Sequence, residues 1–241
     1  MKVAEQIRKT IETIPESQPF GYADLGIEPV NFVSGAKALE RLQKKGVIKK
    51  VSKGVFYIPH QTVFGELGPD SNGILNRYLF EDGKRIAYET SFSLYNSLGL
   101  TTQMAFKIKV ATTKNRIKIN KGALQVRSIK SYVAVTDTNY VLLGYLDALK
   151  DIRRIPDCST LQAIKRMSVL IKALSAQEQK EIIEYALFYP ARTRALLGAI
   201  LEHLKLKLNL DQLKRSLNPL TRINLNIKEI DLPTIKNWNI E

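Results

Sequence analysis

The sequence contains few of the residues on which most metal sites and nucleophilic enzymes depend. It has one cysteine, Cys158, and two histidines, His60 and His203, among 241 residues. A single cysteine excludes an internal disulfide framework and a cysteine-based zinc site, and it favours a reducing compartment. Two isolated histidines argue against a histidine metal site or a catalytic relay. We therefore expect no metal, no cofactor and no catalytic residue, in a protein that is not an enzyme.

Long apolar runs and familiar catalytic motifs are also missing from the sequence. No run of 18 apolar residues occurs, and Lys2, Glu5 and Arg8 interrupt the N-terminus where a secretion signal would be apolar. The chain lacks the G-x-G-x-x-G, P-loop, G-x-S-x-G and H-E-x-x-H patterns. These absences predict a cytoplasmic protein without a membrane partner.

Acidic residues are too few to balance the basic ones. The formal net charge is +14 and the isoelectric point is about 9.7, which favours a polyanionic partner. Between Lys37 and Lys53, seven basic residues accompany a single acid, Glu40. Between Phe106 and Lys130, eight basic residues accompany no acid at all. The charge is therefore concentrated in two stretches rather than spread along the chain.

The first basic stretch has the pattern of an amphipathic helix followed by a β-hairpin. At helical spacing, one face is apolar or small: Gly35, Ala36, Leu39 and Leu42. The opposite face is polar and cationic: Ser34, Lys37, Arg41, Lys44 and Lys45. Gly46 predicts the end of the helix, and residues 47–51 and 55–58 predict two strands joined by Ser52, Lys53 and Gly54.

The residues before this helix complete the pattern of a winged helix-turn-helix. Val3, Ile7, Ile11 and Ile14 predict a first helix that ends at Pro15. Residues 19–26 are long enough for one short helix closed by Gly26. Three helices and a hairpin wing then fill the first 60 residues. The alternative is that the lysines only solvate a surface helix, as most charge runs do.

The second basic stretch alternates apolar and charged residues, as half-buried strands do. The alternation covers residues 106–110 and 116–119. It predicts a possible second basic surface for nucleic acid or an acidic protein, carried by Lys107, Lys109, Arg116 and Lys118. The alternative is an edge strand that its lysines protect from aggregation.

These patterns together predict an α+β protein with two domains. Residues 1–60 are expected to form the winged helix-turn-helix DNA-binding domain, turn-rich residues 61–72 a linker, and residues 73–241 a C-terminal domain. Its first part, 73–150, is expected to be α+β with a small basic sheet and a strand near 132–135. Its second part, 151–241, is expected to be a mainly helical bundle, in which Ser175 and Glu178 match a capping box.

Four segments of the chain resemble AbiEi-type antitoxins of the bacterial abortive-infection AbiE (type IV) toxin-antitoxin systems. They are residues 37–46 (KALERLQKKG), 53–59 (KGVFYIP), 96–103 (NSLGLTTQ) and 189–198 (YPARTRALLG). The resemblance spans nearly the whole chain. Many repressors share the wing pattern, so the LGLTTQ run behind it is the more specific feature. The family pattern usually has a glycine near Thr90 and Ser91, and this chain lacks it.

The resemblance implies a phage-defence protein with two roles. The N-terminal domain would bind inverted repeats in operator double-stranded DNA and repress transcription of its own operon. The C-terminal domain would counteract a nucleotidyltransferase-like toxin, without requiring a stable complex. Arg192 and Arg194 would add to the second basic surface. Since no heptad seam is present, we expect a monomer or a weak homodimer.

The cationic helix also suggests how such a domain would read DNA. Its N-terminal half would enter the major groove, where Asn31 could pair with adenine, Ser34 with either base type and Arg41 with guanine. Ala38 would allow close approach to a thymine methyl group. Lys37 matches a position of the recognition helix, and five further cations would hold phosphates: Lys44, Lys45, Lys49, Lys50 and Lys53.

Two other classes of function remain open from the sequence alone. One is a stand-alone winged-helix transcription regulator whose C-terminal domain senses a ligand or oligomerises. The other is an RNA-modifying or nucleotide-handling enzyme that uses the basic sheet, which the missing motifs disfavour. Whether the neighbouring gene encodes a toxic nucleotidyltransferase-like protein would distinguish the stand-alone regulator from an antitoxin. Detectable catalytic turnover would favour the enzyme.

Overall fold

The chain folds into two compact units of mixed α and β structure. A computed structural model describes residues 3–63, 65–105, 107–114, 116–121 and 124–241. Unit 1 comprises Met1–Leu79 and Ile119–Gln125, and unit 2 comprises Phe80–Lys118 and Val126–Glu241. The predicted α+β class is confirmed at this level. No helix in the described ranges is both long and apolar enough to cross a bilayer.

Unit 1 combines helices with short antiparallel strands. Its helices are α1 (Val3–Glu12), α2 (Phe32–Lys44) and α3 (Ser71–Leu79), with 3-10 turns at Ala23–Leu25 and Pro29–Asn31. Its strands are β1 (Phe20–Gly21), β2 (Lys49–Ser52), β3 (Val55–Tyr57), β4 (His60–Thr62) and β5 (Gly65–Leu67). The first sheet has the order β1-β3-β2, and β4 pairs with β5 in a separate hairpin.

Helices α1 and α2 pack together over a small apolar core. Ile7 and Ile11 of α1 lie one turn apart and are buried with Leu39 of α2 and Phe56 of β3. Gly46 ends α2 as predicted, since it adopts a left-handed backbone at φ 74°. The Val47 and Gly46 amides then donate to the carbonyls of Leu42 and Gln43, which is a Schellman cap.

Two segments of unit 1 differ from the sequence-based expectation. The helix expected within 19–26 is a single 3-10 turn, because Phe20 and Gly21 pair with β3 instead. The residues expected to be a linker, 61–72, contain strands and the start of α3. The amide of Asp70 donates to the Ser17 carbonyl, and the amide of Ser17 donates to that of Ile58. These bonds explain why the segment groups with unit 1.

Unit 2 begins with short strands and continues mainly as helices. Its strands are β6 (Phe80–Glu81), β7 (Lys84–Arg85), β8 (Ala87–Thr90), β9 (Ile108–Thr112) and β11 (Leu124–Lys130) from Val126 onward. Strand β10 (Lys118–Lys121) belongs to unit 1 from Ile119 onward. The helices of unit 2 are α4 (Phe92–Ser97), α5 (Tyr140–Lys150), α6 (Thr160–Lys172), α7 (Ala176–Ala186), α8 (Ala191–His203) and α9 (Asp211–Arg215). Further 3-10 turns occupy Ile152–Arg154 and Ile235–Trp238.

Strand β9 lies between antiparallel β8 and parallel β11. Lys107 and Lys109 are exposed while Val110 is buried, which gives the expected alternation over the described part of this segment. Phe106 lies outside the described residues. The strand expected near 132–135 is wrong: those residues are irregular, because the paired strand ends at Lys130.

Helix α5 is the central element of the unit 2 core. Leu142, Leu143 and Leu146 are fully buried, and α5 packs against α7, α8 and β8. The capping box expected at Ser175 and Glu178 is confirmed at the start of α7. The C-terminal residues join this core as well, since Trp238 is only 1% exposed.

Candidate nucleic-acid interface

Helix α2 presents a cationic face to solvent and a small, apolar face to the core of unit 1. Gly35 and Leu39 are buried, and Gly35 lies so close to Ile27 that a Cβ atom there would approach its side chain to 2.9 Å. The opposite face is exposed and contains Ser34, Lys37, Arg41, Lys44 and Lys45. The structure therefore places five of the predicted DNA-contact residues together on one accessible helix face.

The N-terminal end of α2 differs in two ways from the expected arrangement. Ala38 is only 7% exposed and belongs to the core, so the predicted approach of Ala38 to a base is wrong. Asn31 is half-buried and lines a cavity of about 120 Å³ with Gln6 and Ile7. Exposed apolar side chains accompany Ser34 at this end, with Val30 at 85% and Val33 at 67%.

The hairpin formed by β2 and β3 carries two accessible lysines. Lys50 and Lys53 are exposed, and Gly54 allows the tight turn with φ 77°. Lys49 is different, because its Nζ lies 2.6 Å from Glu66 Oε2. The hydrogen bond from Lys49 also holds the pKa of Glu66 below its usual value. Lys49 therefore has a carboxylate partner that the sequence analysis did not anticipate.

Few carboxylates neutralise the remaining cations of this surface. Lys44 pairs with Glu40 at 2.9 Å in an exposed i,i+4 arrangement, which contributes little stability. Within the described residues, no carboxylate lies within 4.0 Å of the other cations: Lys37, Arg41, Lys45, Lys50 and Lys53. We call these five residues the free basic set.

Helix α3 braces the elements that carry this surface. Arg77 Nη2 donates to Asp24 Oδ2 at 2.6 Å, and the Gly21 amide donates to the same oxygen at 2.6 Å. Burial alone would raise the pKa of Asp24, but these hydrogen bonds and the Arg77 charge lower it below its ordinary value. The hydroxyls of Ser52 and Tyr78 lie 2.5 Å apart, which ties the hairpin to α3.

The predicted second basic surface is only partly assembled. Lys107, Lys109, Arg116 and Lys118 are exposed in unit 2, and Arg127 and Lys130 of β11 are exposed as well. Arg192 is exposed on α8, whereas Arg194 is half-buried. In the described part of the chain, the Arg194 Nε is buried without a hydrogen-bond partner. Arg194 is thus poorly placed for the surface role implied by the resemblance.

A buried polar network in unit 2 escaped the sequence analysis. Asp147 Oδ2 accepts hydrogen bonds from the Tyr88 hydroxyl at 3.0 Å and from Thr90 Oγ1 at 2.7 Å. Lys150 Nζ lies 2.6 Å from Asp147 Oδ1, and both side chains are largely buried. Burial, followed by the nearby Asp147 charge, raises the pKa of Tyr88. The available signal was a carboxylate inside the otherwise apolar helix YVLLGYLDALK.

The fold and this surface define a two-unit α+β protein with an exposed cationic helix and hairpin. The chain belongs to the family of unknown function DUF6088, whose model matches residues 6–183. No curated protein matches the sequence. The crystal structure of the RV2827C protein from Mycobacterium tuberculosis is similar, with a TM-score of 0.52 and 10% sequence identity. The match covers 100% of this chain and 91% of that chain, and it concerns the fold alone.

Proposed function

We propose that the protein is a sequence-specific DNA-binding repressor of its own operon and an antitoxin. Residues 1–60 would act as a winged helix, with α2 as the recognition helix and the β2–β3 hairpin as the wing. The observation that carries the DNA-binding part is the free basic set, whose five cations are all exposed within unit 1. A polyanion supplies the negative charge that these residues lack.

The two ends of α2 suit different parts of a DNA site. Side chains near a recognition-helix N-terminus contact base edges, and exposed Val30, Val33 and Ser34 lie there. Valine can contact a thymine methyl group, and a serine hydroxyl can bond either base type. Arg41 and Lys45 lie further along the exposed face, where Arg41 could pair with guanine and Lys45 could hold a phosphate.

Salt-dependent binding to the DNA upstream of the gene tests this half of the proposal. Each phosphate contact contributes about 0.9 to the slope of log K against log salt, so Lys50→Ala with Lys53→Ala should lower the slope by about two. Glu66→Gln should raise it by about one, because Lys49 loses its carboxylate partner. Fluorescence anisotropy with a labelled duplex measures all these slopes.

The control is the double variant Lys165→Ala with Lys172→Ala, which removes the same charge from exposed positions on α6. Its slope should equal that of the unmodified protein. Equal losses in both double variants would mean that net charge alone attracts DNA. An unchanged slope in the wing variant would remove the hairpin from the proposed interface.

The antitoxin half of the proposal rests on the resemblance to AbiEi-type proteins across residues 37–198. It predicts that the neighbouring reading frame arrests growth when expressed alone and that this chain relieves the arrest. A full-length variant with Arg41→Ala, Lys50→Ala and Lys53→Ala should still relieve the arrest while a promoter reporter becomes derepressed. That result would separate the two roles without truncating the chain.

Two outcomes would contradict this part. If the neighbouring protein is harmless, the chain is better described as a stand-alone transcription regulator. If the triple variant folds but loses protection together with repression, the two roles share one surface. Circular dichroism of the purified variant establishes its folding in either case.

A further inference from the structure

A basic cavity lies in unit 2, and none of its residues belongs to the proposed recognition helix or wing. Its volume is about 350 Å³, near the lower end of the range for small-molecule sites. Four cations line it, two from the connection after β9 and two from β11: Lys114, Arg116, Arg127 and Lys130. Thr113 adds a hydroxyl group and Ile129 an apolar wall.

Hydrogen bonds fix the two chain segments that form this cavity. The Ser128 amide donates to the Ile117 carbonyl at 2.9 Å, and the Ile117 amide donates to Ser128 Oγ at 2.8 Å. On the other side, Thr112 Oγ1 accepts from the Lys114 amide at 3.1 Å and donates to the Ile86 carbonyl at 2.9 Å. The cations are thus carried by a pinned backbone, which reduces the entropy lost on binding a ligand.

Among the four cations of this cavity, only Lys114 has a carboxylate within 4.0 Å in the part of the chain that the structure describes. Lys114 pairs with Glu81 at 2.9 Å. In the described ranges, no carboxylate lies within 4.0 Å of Arg116, Arg127 or Lys130. Like charges gathered in one concave site repel one another and attract a compact anion. Arginine favours phosphate in particular, because its guanidinium can donate two parallel hydrogen bonds.

We propose that this cavity binds a small ligand carrying two or more linked phosphate groups. A single phosphate would leave most of the 350 Å³ empty and would match few of the four cations. A diphosphate or triphosphate group fits the charge better, and Ile129 offers an apolar contact to an attached nucleoside. This proposal does not depend on duplex binding by unit 1.

Calorimetric titration of the full-length protein with sodium pyrophosphate and with ATP tests the assignment. Both should bind, and Arg116→Gln with Arg127→Gln should weaken each by at least about tenfold, the loss expected for charge-assisted hydrogen bonds. The control Lys165→Gln with Lys172→Gln removes the same charge from α6 and should bind both ligands as the unmodified protein does. Equal affinities for pyrophosphate and ATP would mean that the cavity recognises the phosphates alone. Tighter binding of ATP would mean that the nucleoside also contacts the protein.

Three results would overturn the proposal. One is no heat of binding with either ligand at millimolar concentration. Another is an equal loss of affinity in the arginine pair and the lysine control pair. The third is displacement of pyrophosphate by a single-stranded oligonucleotide at far lower concentration, which would make the site a nucleic-acid groove. Duplex binding by the arginine variant should be unchanged, which separates this test from that of the repressor.

Discussion

At the residue scale, one close contact fixes the C-terminal residues to the helical core. The Trp238 ring covers Gly198 of α8, where a Cβ atom would approach the ring to 2.2 Å. The indole Nε1 donates to Glu202 Oε2 at 2.5 Å, and Thr234 Oγ1 donates to the Ala199 carbonyl at 2.6 Å. Glycine is therefore required at position 198 by the approach of the ring rather than by an unusual backbone angle.

Gly198→Ala should destabilise the protein by about 1 to 3 kcal/mol, the usual cost of overpacking a filled core. The sign is informative, because glycine to alanine inside a helix normally stabilises by about 0.5 to 1 kcal/mol. Urea denaturation followed by circular dichroism measures the difference. Gly68→Ala is the control, since among the described residues no atom beyond its two chain neighbours lies within 4 Å of its Cβ position. Equal stability of the Gly198 variant and the unmodified chain would refute the close contact.

At the element scale, α3 contacts both the segment before α2, which contains β1 and a 3-10 turn, and the hairpin after α2. Arg77 reaches both Asp24 and the Pro19 carbonyl, and Tyr78 contacts Ser52. A fragment that ended at residue 60 would lose these contacts. A fragment prepared to test DNA binding should therefore extend to Leu79 at least.

The Asp24 and Arg77 pair gives unit 1 a defined response to acid. The folded pKa of Asp24 is below its ordinary value of 3.8, so its ionised form adds stability at higher pH. That contribution is lost as pH falls below about 3.8 and through the lower folded pKa. Asp24→Asn should reduce hydrogen-exchange protection of the α2 amides at pH 7, and the difference from the unmodified protein should shrink as the pH falls below about 3.8.

The control for Asp24→Asn is a second exposed acid of unit 1. Glu12→Gln on α1 removes a carboxylate that pairs with exposed Arg8. Its effect on the same amides should be small at every pH, because exposed i,i+4 pairs contribute little. A pH-independent deficit in the Asp24 variant would mean that shape rather than ionisation is responsible.

Elements that depend on local patterns were predictable from the sequence. The spacing of Ile7 and Ile11 in α1, the Gly46 cap and the Ser175 capping box each depend on residues only a few positions apart. Strand pairing could not be predicted in this way. Phe20 pairs with Phe56, and β11 pairs in parallel with β9, through contacts between distant residues that no short window contains.

The candidate interface was predictable to the same limited extent. The exposed face of α2 follows from helical spacing, and the structure places Arg41 and Lys44 on it. The neutralisation of Lys49 could not be foreseen, because Glu66 comes from a segment expected to be a linker. The burial of Ala38 could not be predicted either, because its position lies at the border between the exposed and buried faces of the helix.

At the scale of the whole molecule, the excess positive charge belongs to both units. Unit 1 carries the free basic set, and unit 2 carries the cavity lined by Arg116 and Arg127. The net charge of +14 by itself predicts only an anionic partner. Because the positive charge lies in both units, we propose two separate anion-binding sites, and each is tested with its own variants.

Trp238 is the single tryptophan of the chain, and its ring is shielded from water within unit 2. The protein therefore contains a natural fluorophore whose emission should be blue-shifted in the native state and move to longer wavelength when the helical core opens. Excitation at the indole band would follow unit 2 alone. Unfolding of unit 1, which has no tryptophan, would leave the tryptophan emission unchanged.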